Sequence, residues 1–311
     1  MMKKNVIRSP FFYVGDKYKL MPQLSELFPK DIDHYIEPFV GGGSSFLNAK
    51  GRKYIVNDVD NYVIALHEEL GKYADNPEEL LEKLYCLIDF YGLSCSYREI
   101  HVPDELKKKY VKTYYSKYNK SSYLRMKEDF NKDQNNILLL YLLLIYGFNH
   151  MIRFNASGEF NLPVGNVDFN KNVYHALMNY LAFRKNNEVV FENSDYQNFL
   201  TQIDIKENDY IFLDPPYLIS MSEYNKLWNE EKEIELCSFL DGLHERGIKF
   251  GITNLVYHKG KENSTFHTWS KKYNVYDVNS NYISFNDNTV KVNSKEVFVT
   301  NYGQKKEKPC V

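Results

Sequence analysis

Residues 214–217, Asp-Pro-Pro-Tyr, combine side chains that could bind and orient an amino group. They directly follow residues 210–213, an apolar run typical of a buried parallel strand. The two prolines stiffen the turn and remove backbone donors. The Asp214 carboxylate and the Pro215 carbonyl could then accept both hydrogens of one amino group, while Tyr217 offers a flat face to a planar ring. We therefore expect a site for the exocyclic amine of a nucleobase; the plainer alternative is a proline-rich turn without chemistry.

A second candidate site is the glycine loop at residues 38–44, Pro-Phe-Val-Gly-Gly-Gly-Ser. It follows an expected strand at residues 34–39, and we expect a helix to open near Phe46. Glycines allow close approach to a ligand, and a helix N-terminus favours a carboxylate or phosphate. Asp58 ends the next expected strand, where a carboxylate can accept both ribose hydroxyls of a nucleoside. The G-x-G-x-x-G spacing is not met, so the loop alone would also fit a tight turn.

The remaining pattern predicts an α/β protein. Further strands are expected at residues 188–192, 210–213, 250–253, 273–278 and 296–301, and residues 61–188 are mostly helical in pattern. Alternating strands and helices imply a parallel or mixed sheet with helices on both faces. The helical block between the second strand and the later ones predicts an inserted subdomain.

Composition narrows the class of protein. The 311 residues are 43% hydrophobic and 26% charged, as in an ordinary globular chain. No apolar stretch reaches the roughly 18 residues of a membrane span, and no secretory signal is readable. The four cysteines are scattered and the eight histidines lack metal spacing, so we expect reduced thiols, a cytoplasmic location and no metal.

Six segments, taken in chain order, resemble motifs of the Dam-type DNA adenine methyltransferases, alpha-group enzymes that use S-adenosylmethionine. Residues 13–20 are similar to the family's aromatic-x-Gly-Gly-Lys-x-x-Leu segment, with Tyr13 where tryptophan is common and Asp16 in place of the second glycine. The other five segments are residues 37–44, 57–58, 153–165, 194–196 and 214–217. The resemblance covers nearly the whole chain.

This resemblance implies transfer of a methyl group from S-adenosylmethionine to N6 of a flipped adenine in duplex DNA. It implies a Rossmann-like methyltransferase sheet with a final antiparallel hairpin, a catalytic domain at 1–62 and 187–311, and a helical target-recognition domain at 63–186. The implied catalytic residues are Asp214, Pro215 and Tyr217. The implied cofactor-binding residues are Tyr13, Lys17, Pro38, Phe39, Gly41, Gly43, Ser44, Asp58, Asp195, Tyr196 and Asp214.

Two segments are candidates for contact with DNA. Between Lys107 and Lys127 lie basic residues and interleaved tyrosines without any acidic residue, giving local positive charge despite the net charge of -2. A solvated amphipathic helix would explain the same pattern. Arg153 could pair bidentately with guanine. The resemblance places it at the family position that reads a guanine, which implies a G just 5′ of the methylated adenine. The expected DNA-binding residues are Lys108, Lys112, Asn149, Arg153, Asn155, Asn161 and Pro163.

Several alternatives remain open at this stage. The same chemistry could act on cytosine N4 or on RNA, and protein glutamine methyltransferases typically carry Asn where Asp214 stands. A non-catalytic nucleic-acid module would keep the basic segment without a cofactor pocket. A nicotinamide-linked oxidoreductase would leave residues 214–217 without a role. Double-stranded DNA is the expected partner, with a cognate restriction endonuclease as a further candidate, and we expect a monomer or weak dimer without membrane contact.

Overall fold

The computed structural model describes residues 6–220, 228–279 and 294–303. Eight strands in these ranges form one sheet: β1 (Ile32–Glu37), β2 (Gly51–Asn57), β3 (Val189–Glu192), β4 (Tyr210–Leu213), β5 (Lys249–His258), β6 (Lys261–Glu262), β7 (Asn274–Val278) and β8 (Ser294–Thr300). The helices are α1 (Met21–Leu27), α2 (Asn61–Gly71), α3 (Pro77–Tyr91), α4 (Asp104–Lys109), α5 (Tyr114–Lys132), α6 (Ile137–Tyr146), α7 (Lys171–Asn186), α8 (Tyr196–Gln202), α9 (Glu230–Glu245) and α10 (Ser264–Ser270).

The strand order is β3-β2-β1-β4-β5-β8-β7, with β6 paired to β5. Strands β1 to β5 pair in parallel, whereas β8 lies antiparallel to both β5 and β7. The expected α/β sheet of Rossmann-like type and its antiparallel final pair are therefore confirmed. The connection between β7 and β8, at residues 280–293, falls outside the described residues.

The order of the strands reverses beside β1. The chain leaves β1 to form β2 on one side, and β4 lies on the other side. Connections that leave neighbouring strands in opposite directions open a crevice at the strands' carboxyl ends, where α/β proteins bind ligands. The glycine loop follows β1, and Asp58 follows β2. Residues 214–217, called here the Asp214 turn, follow β4.

Helices α2 to α7 form the predicted helical block. Every residue of α6 from Leu139 to Tyr146 is buried, because the helix lies inside the block. On α5, the buried positions Asn119, Tyr123, Met126 and Phe130 share one face, in keeping with helical periodicity. One continuous core joins this block to the sheet, so the expected domain boundary at residue 63 stays a prediction.

The helix expected to open near Phe46 is present only as a single 3₁₀ turn at Phe46–Asn48, because β2 begins at Gly51 and leaves no room for a longer helix. Within the described ranges, no helix has the length and apolar character to cross a bilayer. Cys86, Cys95 and Cys237 are free thiols, whereas Cys310 lies outside the described part.

Candidate active site

A cavity of about 770 Å³ opens at the carboxyl ends of β1, β2 and β4. All of the residues predicted for the cofactor and for catalysis line it, from Tyr13 in the N-terminal segment to Tyr217 after β4. Residues more than 200 positions apart in the chain are thus brought together around one space. Their individual binding and catalytic roles stay predictions.

The Asp214 carboxylate is held by three side chains. Its Oδ2 lies 2.7 Å from Lys17 Nζ. Its Oδ1 accepts hydrogen bonds from Thr253 Oγ1 at 2.8 Å and from the Tyr217 hydroxyl at 3.0 Å. Thr253 comes from the neighbouring strand β5. The acid of the turn is therefore oriented by the sheet and by the N-terminal segment together.

Glu296 on β8 is a second carboxylate in this cluster, and the sequence interpretation missed it. It is 2% exposed and accepts a hydrogen bond of 2.6 Å from the Tyr217 hydroxyl. Its Oε1 lies 3.9 Å from Lys17 Nζ. Burial favours loss of the Lys17 proton, but the charges of Asp214 and Glu296 outweigh it and raise the pKa of Lys17. The Lys17 ammonium group thus faces both the Asp214 and the Glu296 carboxylates.

Tyr217 is largely buried, with 8% of its surface exposed. Its ring packs with Ile219 and Leu255, and Lys17 Nζ lies 5.0 Å from the ring centre. The hydroxyl is hydrogen-bonded to Asp214 and Glu296, so both the ring and the hydroxyl of Tyr217 are held in place. Stacking of a base on this ring stays a prediction.

The glycine loop is shaped by close contacts with its surroundings. Gly43 has φ of +79°, a conformation that favours glycine. A Cβ at Gly42 would lie 2.9 Å from Tyr13 Cβ, so the loop can approach the N-terminal segment only without a side chain there. The Gly41 N–H donates to Asp58 Oδ2 at 2.9 Å, which ties the loop to the end of β2.

A buried histidine on α2, His67, binds the backbone of the glycine loop. His67 Nε2 lies 2.9 Å from the Gly41 carbonyl, which can only accept, so this nitrogen carries the proton. His67 Nδ1 then accepts from the Tyr180 hydroxyl at 3.0 Å. Burial lowers the pKa of His67 to about 3, so the ring stays neutral. Arg184 on α7 donates to the same hydroxyl at 3.0 Å. The sequence showed only that the histidines lack metal spacing and gave no signal for this contact.

Burial changes the pKa values of two acids around the glycine loop. Burial raises the pKa of Asp58 to about 6, while backbone donors from Asp60 and Gly41 act in the opposite direction. Burial also raises the pKa of Glu37 well above its usual value, and the nearby charge of Asp214 adds to the effect. Glu37 Oε2 accepts from the Phe46 N–H at 3.1 Å. The pKa values of both acids beside the glycine loop are therefore raised, chiefly by burial.

The cavity presents polar groups suited to a nucleoside ligand. The Ser44 hydroxyl lines the cavity, is buried, and has no hydrogen-bond partner among the described residues, which is typical of an atom that awaits a ligand. Asp58 stands where ribose hydroxyls are bound in nucleotide folds. The site therefore offers a hydroxyl and a carboxylate to a nucleoside ligand.

Three aromatic rings form one wall of the cavity. The Phe39 ring centre lies 5.2 Å from that of Tyr196 and 5.8 Å from that of Trp228, which are themselves 5.6 Å apart. Trp228 was not predicted, because nothing local in its sequence neighbourhood marks it. Asp195 accepts from the Gln197 N–H at 3.0 Å and so begins α8, which places Tyr196 in the wall. A flat adenine ring fits such a wall.

The local structure of the N-terminal segment shows why Asp16 can replace the second glycine of the motif that this segment resembles. Gly15 has φ of +82°, whereas Asp16 has no positive φ. The Asp16 carboxylate instead accepts from the Tyr18 N–H at 3.0 Å and caps the turn that carries Lys17. An aspartate therefore serves at the position of the second glycine.

Arg153 lies on a hairpin closed by the pairing of Phe154 with Phe160. Its Nε donates to Asn161 Oδ1 at 2.8 Å and its Nη2 to the Asn161 carbonyl at 2.9 Å. These bonds use two of the five N–H donors of a guanidinium. Asn155 Oδ1 accepts from the Ser157 and Glu159 N–H groups and shapes the turn. Asn155 and Asn161 therefore build the hairpin, a role that the sequence did not reveal.

The other DNA candidates lie outside the cavity. The exposed candidates are Lys108, Lys112, Asn149 and Pro163. Asn166 donates to the Lys112 carbonyl at 2.9 Å, which connects the segment after Arg153 to the basic segment at residues 107–127. Tyr123, counted among the interleaved tyrosines, is fully buried and donates to the Leu143 carbonyl, so it is a core residue. Contact with DNA stays a prediction for all the residues named for it.

Comparison with known proteins identifies the family. Residues 13–283 match the D12 class N6 adenine-specific DNA methyltransferases, and the chain belongs to this family. It is 33% identical to the modification methylase StsI of Streptococcus sanguinis and 34% identical to the type II methyltransferase M.FokI of Planomicrobium okeanokoites, over 97% and 95% of its length. It is 28% identical to the DNA adenine methylase of Escherichia coli K12 over 81% of its length.

These relatives differ in size. The chain spans 44% of the StsI methylase and 43% of M.FokI, but 82% of the Escherichia coli enzyme. The matched region includes the glycine loop, Asp58, Arg153 and the Asp214 turn. The expectation of a Dam-type methyltransferase is therefore confirmed at the level of the family.

Proposed function

We propose that this chain is a site-specific DNA adenine methyltransferase that uses S-adenosylmethionine. The observation that carries the proposal is that the glycine loop, Asp58 and the Asp214 turn line one cavity in a member of an adenine methyltransferase family. S-adenosylmethionine would supply an electrophilic methyl group there. Ser44, Asp58 and the wall of Phe39, Tyr196 and Trp228 would hold it.

The residues of the turn would orient the target amine. An adenine in a duplex must leave the stack to reach a buried site. Asp214 and the Pro215 carbonyl would accept the N6 hydrogens, which directs the nitrogen lone pair towards the methyl group. Catalysis would then consist of positioning and of stabilising the positive charge that develops on the amine. The fixed Asp214 carboxylate, held by Lys17 and Thr253, supports such a role.

Double-stranded DNA is the proposed substrate and the cytoplasm the proposed location. The relatives named as modification methylase and type II methyltransferase support a role beside a cognate restriction endonuclease. Arg153, Asn161 and the basic segment would face the duplex.

Nucleoside analysis tests the proposal directly. The purified chain is incubated with S-adenosylmethionine and unmethylated plasmid, and the DNA is digested and examined by mass spectrometry. We expect N6-methyldeoxyadenosine. N4-methylcytosine, or no methylated nucleoside, would refute the adenine assignment.

A further inference from the structure

The hairpin of β5 and β6 extends past the end of β4, on the side of the cavity where Asp214 lies. Leu213, the last residue of β4, pairs with Ile252, whereas β5 continues to His258. The overhanging part is anchored, because Leu255 is 1% exposed and packs with Tyr217. The overhanging part of β5 is thus linked to the Asp214 turn by direct packing.

The tip itself is a two-residue turn with a defined conformation. His258 pairs with Lys261 across the hairpin. Between them, Lys259 and Gly260 have φ of +47° and +82°. Left-handed residues at both central positions suit the twist of a tight hairpin. His258 Nδ1 also lies 2.7 Å from Ser294 Oγ on β8. The hairpin therefore holds Lys259 and Lys261 in a set position.

Both lysines are exposed and line the rim of the cavity. The neighbouring acid Glu262 lies 2.9 Å from His267 Nδ1. Among the residues that the structure describes, neither lysine forms an ion pair with a carboxylate. Burial lowers the pKa of His258, and the charges of Lys259 and Lys261 lower it further. The rim thus carries concentrated positive charge that the structure itself does not use.

We propose that Lys259 and Lys261 bind the phosphodiester backbone beside the nucleotide that enters the cavity. A nucleotide that enters brings its sugar and flanking phosphates to the rim, and two lysines on the Asp214 side complement that charge. Such contacts position the duplex without reading its sequence. The inference rests on the proposed function, since it takes DNA as the polyanion at the rim.

This surface is separate from the predicted DNA-binding segments. Met151, near Arg153, lines the cavity from the inserted block, whereas the two lysines lie on the hairpin of β5 and β6. The phosphodiester backbone of the DNA would therefore be bound on two sides of the cavity. The sequence offered no signal, because Lys259 and Lys261 stand apart from the basic segment at 107–127.

The test uses the full chain and two double variants that remove equal charge. Lys259→Asn with Lys261→Gln changes the rim, and asparagine keeps the left-handed turn accessible. Lys30→Gln with Lys50→Gln is the matched control at a separate pocket beside the start of β1 and β2, where both lysines are exposed. Fluorescence anisotropy measures the affinity for a labelled duplex at several salt concentrations, and calorimetry measures the affinity for S-adenosylmethionine.

We expect the rim variant to bind duplex DNA about tenfold more weakly and to lower the salt slope by about 1.8, as for two phosphate contacts. The control variant should match the wild type. An unchanged slope in the rim variant, or a loss confined to S-adenosylmethionine binding, would overturn the inference. Absence of methyl transfer by the wild type would refute the proposed function instead, so the two failures are distinguishable.

Discussion

Lys17 Nζ lies 2.7 Å from Asp214 Oδ2, which joins the N-terminal segment to the turn after β4. The two residues are 197 positions apart in the chain. The side chains are 10% and 19% exposed, so the pair is mostly shielded from water. Because Lys17 also faces Glu296, the cluster holds one cation and two carboxylates around the Tyr217 hydroxyl.

The first prediction concerns this ion pair. Lys17→Met should lower the free energy of unfolding by about 3 kcal/mol, because it leaves buried carboxylates without their cation. Asp214→Asn in the same chain should recover part of the loss. Urea denaturation of both single variants and the double variant gives the coupling energy. Strictly additive losses would show that the pair is not coupled.

The second prediction concerns pH and Asp58. Its pKa of about 6 in the free protein means that the carboxylate is ionised above this pH and protonated below it. Ribose hydroxyls donate hydrogen bonds and favour the ionised form, so S-adenosylmethionine should bind more tightly as pH rises from 5 to 7. Calorimetry across this range measures the change. Asp58→Asn should flatten the profile; an equally steep profile in that variant would assign the dependence to another group.

The strand ends explain why the chemical residues of the site were predictable. Asp58 and Asp214 each follow a strand directly, and the carboxyl ends of parallel strands meet at one edge of a sheet. Sequence patterns therefore located both acids without any knowledge of pairing. The same patterns overestimated the local helix after the glycine loop, because they ignore how soon β2 must begin.

Long-range contacts were not predictable in the same way. Glu296 lies on a strand that pairs with β5, and only the antiparallel register brings its carboxylate to Tyr217. His67 is an ordinary helical residue in sequence, and its contact with Gly41 depends on how α2 packs. Tyr123 shares its pattern with half-buried tyrosines of the same segment but lies in the core of the helical block.

The third prediction concerns Glu296. Glu296→Gln keeps an acceptor for the Tyr217 hydroxyl but removes one negative charge beside Lys17 and Asp214. The positive charge developing on the amine then loses stabilisation, so kcat for methyl transfer should fall about tenfold while S-adenosylmethionine affinity stays unchanged.

The control for Glu296 is Tyr217→Phe, which removes the hydroxyl and keeps the ring. If Glu296 acts through Tyr217 alone, adding Glu296→Gln to Tyr217→Phe changes nothing more. We expect a further fall in kcat from the lost charge. Equal kcat values for the Tyr217→Phe variant and the double variant would rule out the electrostatic effect.

The fourth prediction separates base reading from backbone binding. Arg153→Ala should relax selection at one base pair by about 1–3 kcal/mol. Asn161→Ala should relax the same position to a smaller extent, because Asn161 holds the guanidinium through Oδ1. Methylation of a library of site variants measures both. Lys112→Ala should weaken binding to every sequence alike, and an unchanged base preference in Arg153→Ala would make Arg153 a structural residue of the hairpin.

The most direct test of the whole account is methyl transfer by Asp214→Ala, with folding checked by circular dichroism and S-adenosylmethionine binding by calorimetry. We predict that transfer of labelled methyl groups to DNA falls by about 100-fold or more, the cost of removing one group that acts on the reacting atoms. The fold should be retained, and wild-type protein should produce N6-methyldeoxyadenosine under the same conditions. Turnover near the wild-type value in Asp214→Ala would contradict the assignment of this turn as the site of catalysis.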